Sequence, residues 1–279
     1  MNLSELTRAL DSLIPFSYAE PWDHVGLQVG DPNHPVRSAV LSLDLTAAAI
    51  SYATAVGADL IICHHPPIFE PLTGLRLDHP HEALFHRLIK SDLAVIALHT
   101  NLDAVPGGVA DQLAALLELS GIETVSPLPD GQSTETIDPD SPWILEFPVK
   151  PGYGRTGKLH EPLSLSKLAG RLRSRLTTPH LLISAKGDHP VSCVSVCPGS
   201  FDGDWISCLK DQGSELLICG EIKYHHQLEL LAVGIDVIVT GHDVSERVVL
   251  SPLADMLAAR YPEVAFAVCP PFDYNEVAF

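Results

Sequence analysis

The fold is decided by the stretch Gly57-Ala-Asp59-Leu-Ile-Ile-Cys63-His64-His65. In it a glycine ends a helix, an acidic residue follows, and four apolar residues lead to a polar strand end. The same arrangement returns as Gly213-Ser-Glu215-Leu-Leu-Ile-Cys219-Gly220-Glu221 and as Gly234-Ile-Asp236-Val-Ile-Val-Thr240-Gly241-His242. A short apolar run bounded by turn signals is typical of a strand buried in a parallel sheet. The polar groups would then lie beyond the carboxyl ends of strands, where open parallel sheets bind their ligands.

Outside these blocks, apolar runs of strand length alternate with longer runs of helical period, which predicts an α/β fold. A larger unit that contains this nine-residue block also repeats. It consists of a strand with a polar end (Asp44, or Pro198-Gly199-Ser200), then a helix, then the block. Two explanations remain open. Either any passage from a helix to a parallel strand has this pattern, or the chain contains two related α/β halves.

The same periodicities predict the individual elements. Helices are predicted over residues 3–13, 46–56, 81–90, 109–117, 165–176, 205–211, 224–233 and 245–259. Strands are predicted over residues 36–43, 59–63, 93–98, 144–149, 180–185, 191–197, 216–219, 236–240 and 264–268. The segment 126–142 is rich in Pro, Ser, Thr and Asp, so we expect it to be a surface connection.

Length and charge limit the classes of function. The chain has 279 residues, enough for a substantial core, and its net charge of −18 argues against nucleic acids or anionic membranes as partners. No run of about 18 apolar residues occurs, and the first residues lack the basic region of a signal peptide. We therefore expect no membrane span and a cytoplasmic location. The six cysteines lie mostly in or beside apolar runs, which favours reduced core thiols over disulfides.

Three predicted strand ends carry histidine beside a second histidine or an acidic residue. His64 and His65 end one strand, and the proline after them stiffens a turn that can aim both rings into one cleft. Another strand leads to His99 and Asp103. Each signal also has a purely structural interpretation, since adjacent histidines are often not ligands and Asp103 can cap a turn before the next helix.

The third strand end carries His242 and Glu246, which are four residues apart and share one face if a helix starts by Asp243. The structural alternative is a helix start that Asp243 or Ser245 caps, with Glu246 in the first turn. Taken together, the strand ends supply His64, His65, Asp103, His242 and Glu246. Zn, Mn, Fe, Co and Ni all accept such imidazole and carboxylate ligands. Five ligands are too many for one catalytic zinc, but they suit two metals ~3.5–4 Å apart that share a carboxylate.

Three further stretches carry weaker signals. Gly220–His226, followed by Glu229, offers either contacts around a site or a solvated helix face. In Trp22–Leu27, Asp23 is expected to hydrogen-bond a ligand imidazole, and His24 is expected to be structural. The glycines around Arg155 suggest a tight loop or a close backbone approach, and Arg155 could meet a phosphate or a carboxylate. No phosphate-binding or dinucleotide fingerprint occurs.

Several motifs together resemble one protein family. They are HHPPIF (64–69), HTNLDAVPGG (99–108), CGEIKYHH (219–226) and TGHDVSE (240–246), with PWDHVGLQVG (21–30) and GYGRTGKL (152–159) as further landmarks. The set is similar to the Nif-three-like dinuclear metal-centre family, also labelled GTP cyclohydrolase I type-two homologues. The resemblance spans nearly the whole chain. Two positions depart from the family pattern: His24 stands where Asn is usual, and Asp243 where Tyr is usual.

The resemblance implies two interlinked α/β domains of related topology, with a metal cleft between them, and toroidal homohexamers. The first domain would comprise residues 1–126 and 245–279, and the second residues 127–244. Position by position, the resemblance implies two divalent ions per chain, and it places His99 beside the same site. It implies the same metal ligands that the spacing indicates: His64, His65, Asp103, His242 and Glu246.

The leading functional hypothesis is a metal-dependent hydrolase whose substrate is a nucleotide or a similar small molecule, with GTP suggested by the family label alone. His99 or Glu221 would move the proton. Because the chain is acidic, capture of an anionic nucleotide would depend on the metals and on local cations such as Arg155 or Lys223. The alternative is a non-catalytic metal-binding scaffold or regulator. A third interpretation treats the histidines as ordinary polar strand ends and predicts no stoichiometric metal.

Overall fold

The computed structural model describes residues 1–129, 137–138, 141–178 and 180–271. The α-helices are α1 (Leu3–Leu13), α2 (Ala47–Ala55), α3 (Pro80–Lys90), α4 (Thr100–Ala104), α5 (Val109–Leu116), α6 (Pro142–Glu146), α7 (Leu165–Leu176), α8 (Ile206–Asp211), α9 (Tyr224–Val233), α10 (His242–Glu246) and α11 (Leu250–Arg260). The strands are β1 (Gly26–Val29), β2 (Ser38–Ser42), β3 (Leu60–Cys63), β4 (Ala94–Ala97), β5 (Ser120–Pro127), β6 (Gly152–Ser164), β7 (Leu182–Ser184), β8 (Pro190–Ser200), β9 (Leu216–Glu221), β10 (Asp236–Val239) and β11 (Ala265–Val268).

The chain divides into two compact units, each built on one sheet. Unit 1 comprises residues 1–100 and 250–279, and unit 2 comprises residues 101–249. The alternation of strands and helices confirms the predicted α/β class. The domain boundaries expected after residues 126 and 244 stay a prediction.

The sheet of unit 1 has the strand order β1-β4-β3-β2-β11. Strands β4, β3, β2 and β11 are parallel, and β1 is antiparallel to β4. Helices α2 and α3 pack on one face through Ala49, Ile50, Phe85 and Leu88, which meet the buried side chain of Ile61. Because both faces of the central strands are buried, β3 and β4 are apolar at every position.

The sheet of unit 2 has the order β5-β6-β8-β9-β10-β7. Along β9, Leu216 and Ile218 face a core that includes α5 and α7, whereas Leu217 and Cys219 face a second core that includes α8 and α9. The alternation follows from the two-residue period of a strand. Unit 2 is therefore a sheet covered by helices on both sides.

The two units share a topology. In each, a helix and an antiparallel edge strand precede three parallel strands that are joined by helices, so β1-β4-β3-β2 corresponds to β7-β10-β9-β8. The acidic residue of the repeated block makes equivalent hydrogen bonds in the two units. Asp59 accepts hydrogen bonds from the backbone N–H groups of Arg37 and Ser38, and Glu215 accepts them from Ser192 and Cys193. This likeness favours two related halves over a chance pattern.

Within residues 144–157 one prediction is wrong, and one of the two alternatives given for the glycines is confirmed. The strand predicted over 144–149 is replaced by helix α6, because Pro142 starts a helical turn and Phe147 closes it with a hydrogen bond to the carbonyl oxygen of Trp143. The glycines around Arg155 do not form a loop but belong to strand β6. They permit close approach, since a Cβ on Gly152 would lie 2.2 Å from the carbonyl oxygen of Ser126.

The expectation of reduced cysteines is confirmed. All six cysteines are free thiols. No helix in the described ranges is both long enough and apolar enough to cross a membrane. Most of the segment predicted to be a surface connection, residues 126–142, lies outside the described residues, although its start belongs to β5 and its last residue begins α6.

Candidate metal centre

Three histidines meet at the carboxyl ends of β3 and β4 in unit 1. The backbone N–H of His64 donates to Ser42, and that of His65 donates to Leu43, so the sheet ladder continues to the end of β3. His99 follows β4, the next strand of the sheet. Parallel strands bring their carboxyl ends to one edge of the sheet, and this places the three imidazoles side by side.

The three imidazoles are close enough to share a metal. Ring centroids are 5.0 Å apart for His64 and His65, 5.3 Å for His64 and His99, and 5.6 Å for His65 and His99. One ring nitrogen from each lies within 4.8 Å of those of the other two. His64 is buried, whereas His65 and His99 are partly exposed.

Each ring is oriented through its Nδ1 atom. For His64 the partner is the carbonyl oxygen of Leu98 at 2.8 Å, and for His65 it is a carboxylate oxygen of Asp44 at 2.8 Å. A carbonyl and a carboxylate can only accept, so both Nδ1 atoms carry a proton, and in the neutral rings the lone pair is on Nε2. Histidines that bind metals are typically held in this way by a carbonyl or carboxylate.

His99 is held by Asp23. Its Nδ1 atom donates to Asp23 Oδ1 at 2.9 Å, while the backbone N–H of Thr100 donates to Asp23 Oδ2 at 3.0 Å. Burial by itself would raise the pKa of Asp23, but the hydrogen bonds from His99 and Thr100 outweigh it and lower that pKa from 3.8 to about 2. Asp23 is therefore a carboxylate at neutral pH, and it hydrogen-bonds an imidazole, that of His99, whereas the expected bond to a metal-ligand imidazole stays a prediction.

Unit 2 contains a second group of the predicted residues. Helix α10 starts at His242, so His242 and Glu246 share a face, and His242 Nε2 lies 3.1 Å from Glu246 Oε1. The Nδ1 atom of His242 lies 3.3 Å from Glu221 Oε1. This ring is thus positioned like those of unit 1, with a carboxylate at Nδ1 and the other nitrogen beside a possible metal ligand.

A glycine cradle holds Glu246. A Cβ on Gly199 would lie 2.2 Å from Glu246 Oε1, so only glycine leaves room for the carboxylate. The hydroxyl of Ser245 accepts a hydrogen bond from the Gly199 N–H at 2.9 Å and donates to the carbonyl oxygen of His242 at 2.8 Å. Ser245 therefore ties α10 to the end of β8 and is not a helix cap.

The remaining predicted ligand, Asp103, is half-buried on helix α4, three residues after Thr100. Its place in a metal site stays a prediction. The sequence pattern places Asp44 and Gly199 at strand ends but indicates no role for either. Their signal was the position itself, one strand along the sheet from His65 and from Glu221.

The donor chemistry suits metals that take nitrogen and oxygen ligands. The cysteines at the same strand ends are different, since burial raises the pKa of the Cys219 thiol to about 12 and raises that of Cys63 as well. Both stay protonated at neutral pH, and a thiol binds metals poorly until it is deprotonated. Imidazoles and carboxylates remain, which Zn, Mn, Fe, Co and Ni all accept.

Arg155 meets a carboxylate, not a phosphate. It is fully buried, and its Nε and a terminal nitrogen each lie 2.7 Å from an oxygen of Asp111. The second oxygen of Asp111 also accepts a hydrogen bond from the backbone N–H of Gly107. The expectation that Arg155 helps to capture an anionic nucleotide is therefore wrong, whereas Lys223 is exposed.

Three other residues named in the sequence analysis, His226, His24 and Asp243, contact near neighbours in the structure. His226 lies against Gly203, where a Cβ would come within 2.1 Å of the ring, and its Nδ1 is 3.6 Å from Glu229. His24 is exposed, with its ring centroid 5.9 Å from that of Phe69. The carboxylate of Asp243 lies 3.8 Å from Arg247.

Comparison with known proteins places this geometry in a family. The sequence pattern of the family described as Duf34/NIF3 (NGG1p interacting factor 3) matches residues 1–271. The chain belongs to this family. The resemblance inferred from the motifs is thus confirmed over almost the whole sequence.

Relatives in the Duf34/NIF3 family cover most of the chain. A GTP cyclohydrolase 1 type 2 homolog of Streptomyces coelicolor is 30% identical over 225 residues, which are 80% of this chain and 74% of that protein. A NIF3-like protein 1 of Drosophila melanogaster is 29% identical over 92% of this chain and 82% of its own length. The crystal structure of a Bacillus cereus protein related to NIF3 has the same fold, with a TM-score of 0.84, 22% identity and coverage of 100% of this chain and 99% of that one.

Proposed function

We propose that this protein is a metal-dependent hydrolase that acts on a nucleotide or a similar small molecule. In this proposal two divalent ions, from among Zn, Fe, Mn, Co and Ni, are bound by five residues: His64, His65, Asp103, His242 and Glu246. Support comes from the histidines themselves. Four imidazoles have a carbonyl or carboxylate at Nδ1, namely those of His64, His65, His99 and His242.

The observation that carries the proposal is the convergence of His64, His65 and His99 at one sheet edge. A buried structural histidine also needs an acceptor for its ring N–H, but it does not need two further imidazoles within 4.8 Å. Three such rings, all oriented in the same way, match the arrangement by which proteins prepare histidine to bind a metal. A relative within the Duf34/NIF3 family that is named a GTP cyclohydrolase 1 type 2 homolog adds the expectation of hydrolysis.

The protein's own groups can orient the reactants and move a proton. Divalent ions would lower the pKa of a water molecule and polarise the bond to be cleaved. In the neutral form of His99 the lone pair is on Nε2, because Nδ1 donates its proton to Asp23. It can accept a proton there, and the Asp23 carboxylate would stabilise the imidazolium that forms. Glu221, which is more than half exposed beside His242, is the second candidate for proton transfer.

We further propose that the protein is a cytoplasmic homohexamer, as the family resemblance implies. Ultracentrifugation of the full chain tests the hexamer, because the mass of one chain is 30.1 kDa and a hexamer sediments as a species six times heavier. A monomer at micromolar concentration would contradict this part of the proposal and leave the metal chemistry unaffected.

The central experiment measures metal content by mass spectrometry on tag-free protein. We expect about two ions per chain in the wild type and a loss of metal in Asp103→Ala and Glu246→Ala, with circular dichroism unchanged. Glu263→Ala, at an exposed residue before β11, is the matched control and should retain both ions. Wild-type protein that stays metal-free after incubation with Zn, Mn, Fe, Co and Ni would refute the proposal.

Activity is then tested by a hydrolysis screen of the metal-loaded chain against nucleotides and phosphoesters. We expect His99→Gln to keep the metal and to lose roughly 10²–10⁴ in rate, the usual contribution of a general acid or base. Stoichiometric metal without turnover of any substrate would instead support the scaffold or regulator.

A further inference from the structure

A cavity of about 480 Å³ opens beside the histidines of unit 1. Its walls come from the segment after β2, the segment after β3 and helix α3, through Asp44, Leu45, residues 65–67, Phe69, Glu70, His81, Leu84 and Phe85. The volume falls within the range of ~300–1,000 Å³ that is typical of small-molecule sites. The cavity also lies at the carboxyl ends of parallel strands, where such sites occur.

One wall of the cavity is part of the candidate metal centre. His65 and Asp44 both line it, and they are joined by the 2.8 Å hydrogen bond that orients the His65 ring. A molecule bound in the cavity would therefore contact the residue that the proposed function assigns to the metal. This makes the cavity a candidate for the part of the site that holds the organic portion of the substrate.

The cavity wall is largely apolar and aromatic. Phe85 is buried beneath His81, with ring centroids 5.1 Å apart and planes at 87°, so these two rings form a fixed corner. Phe69 is 42% exposed, and its ring centroid lies 5.9 Å from that of Trp22, which is 54% exposed. Phe69 and Trp22 form an adjacent exposed aromatic pair at the cavity, and flat aromatic faces favour planar ligands.

The charge of the cavity is negative. Asp44 and Glu70 line it, and within the described part of the chain no Lys or Arg does. The basic residue on the loop before α3, Arg76, pairs with both carboxylate oxygens of Asp78 at 3.0 and 2.6 Å. Carboxylates accept hydrogen bonds from N–H groups and repel phosphates at short range. The lining thus favours a neutral or cationic ring over a nucleotide's phosphates.

We propose that this cavity binds a planar heteroaromatic ring with N–H donors, of the nucleobase type, and that it excludes phosphate groups. This proposal rests on the proposed function, because it treats the cavity as part of the proposed catalytic site. It names the substrate class of that site as a base or nucleoside, not a triphosphate. The ring would lie against Phe69, with its donors directed to Glu70 or Asp44.

Calorimetric titration of the full chain tests this, both as purified and after EDTA has removed metals that would attract phosphate. The probes are guanosine, GMP and GTP, which share one base, and purine riboside, which has no N–H donor on its ring. We expect guanosine to bind metal-free protein at least tenfold more tightly than GTP. Purine riboside and Phe69→Ala should each weaken binding roughly tenfold, through lost donors and lost stacking.

A charge-reversal variant tests whether Glu70 is the residue that weakens the binding of phosphate-bearing probes. Glu70 is exposed, so Glu70→Lys should leave the fold intact and bring GMP binding close to that of guanosine. Glu161→Lys is the matched control, because Glu161 is also exposed and lines a separate cavity in unit 2. The inference is overturned if guanosine does not bind at millimolar concentration, if GTP binds metal-free protein more tightly, or if Glu70→Lys behaves like Glu161→Lys. None of these results depends on metal content, so failure here is separable from failure of the proposed function.

Discussion

His99 donates its Nδ1 proton to Asp23 across 2.9 Å, although the two residues are 76 positions apart in the chain. The side chain of Asp23 is completely buried, while that of His99 is 18% exposed. A buried carboxylate thus fixes the tautomer of a ring that borders His64 and His65. This relationship gives a direct test of how His99 is held for the proton transfer that the proposed function assigns to it.

Replacement of Asp23 by Asn should slow the proposed hydrolysis without removing the metal or unfolding unit 1. The amide can still accept from Thr100, but it carries no charge with which to hold the His99 ring. Loss of such an orienting partner usually costs 10–100-fold in metal affinity or activity, and because His99 is not a proposed ligand we expect a loss of about that size in rate. Steady-state rates of the metal-loaded protein measure the loss, and chelator competition should give the metal affinity of the wild type. Asp92→Asn, on an exposed turn with φ of 53° that Asn tolerates, should match the wild type in both measurements.

Acid stability should depend on Asp59. Burial by itself would raise the pKa of this carboxyl, but the hydrogen bonds from Arg37 and Ser38 keep it below the ordinary 3.8. A lowered pKa in the folded state means that the stabilisation is complete above pH 3.8 and is lost as the pH falls further. Asp59→Asn should therefore cost about 1–3 kcal/mol at pH 7, and less and less below pH 3.8.

Urea unfolding at a series of pH values measures this difference for Asp59→Asn. The same series on Asp92→Asn controls for the loss of a carboxylate in general, since Asp92 is exposed. A difference between wild type and Asp59→Asn that stays constant down to pH 2 would show that the charge of Asp59 contributes nothing.

The buried pair of Arg155 and Asp111 should be strongly coupled. Arg155→Met would leave the Asp111 carboxylate buried without its cation, a change that typically costs 3–5 kcal/mol. Removal of both charges in Arg155→Met with Asp111→Leu should restore part of that loss. Urea denaturation gives the three free energies of unfolding. Arg175→Met is the matched control at the surface, where the ion pair with Glu118 is worth about 0–1 kcal/mol.

Strict periodicity made much of the fold predictable. Helices α7 and α9 have the predicted bounds, and the parallel strands overlap their predicted ranges, because continuous apolar runs and helical spacing reflect burial directly. Strand β6 was missed because its glycines resemble a loop, and their reason, close approach to β5 and β8, is a tertiary contact. Helix α6 was missed because a short apolar run fits a strand equally well. Long-range pairing, not local pattern, decides such segments.

The candidate imidazoles of the site were more predictable from sequence than the groups that hydrogen-bond and orient them. Each candidate imidazole follows an apolar strand, so sequence places it at the sheet edge. The groups that orient the rings come from elsewhere: Asp44 from the neighbouring strand end, and the carbonyl oxygen of Leu98 from a backbone that carries no residue signal. Arg155 shows the reverse error, since a cation in a glycine-rich stretch suggested a ligand contact and proved to be buried in a structural pair.

Gly199→Ala should remove metal binding from unit 2 more than it removes stability. Gly199 has φ of 66°, and a Cβ there would lie 2.2 Å from Glu246 Oε1 and 3.6 Å from His242 Nε2. Gly213 is a close control, because its φ is 71° and nothing lies within 4 Å of its Cβ position. Both alanine variants should lose about 1–2 kcal/mol from the left-handed backbone. Only Gly199→Ala should push Glu246 aside and lose bound metal, measured by mass spectrometry and chelator competition. Equal metal content in the two variants would mean that the position of Glu246 beside His242 is irrelevant to the metal.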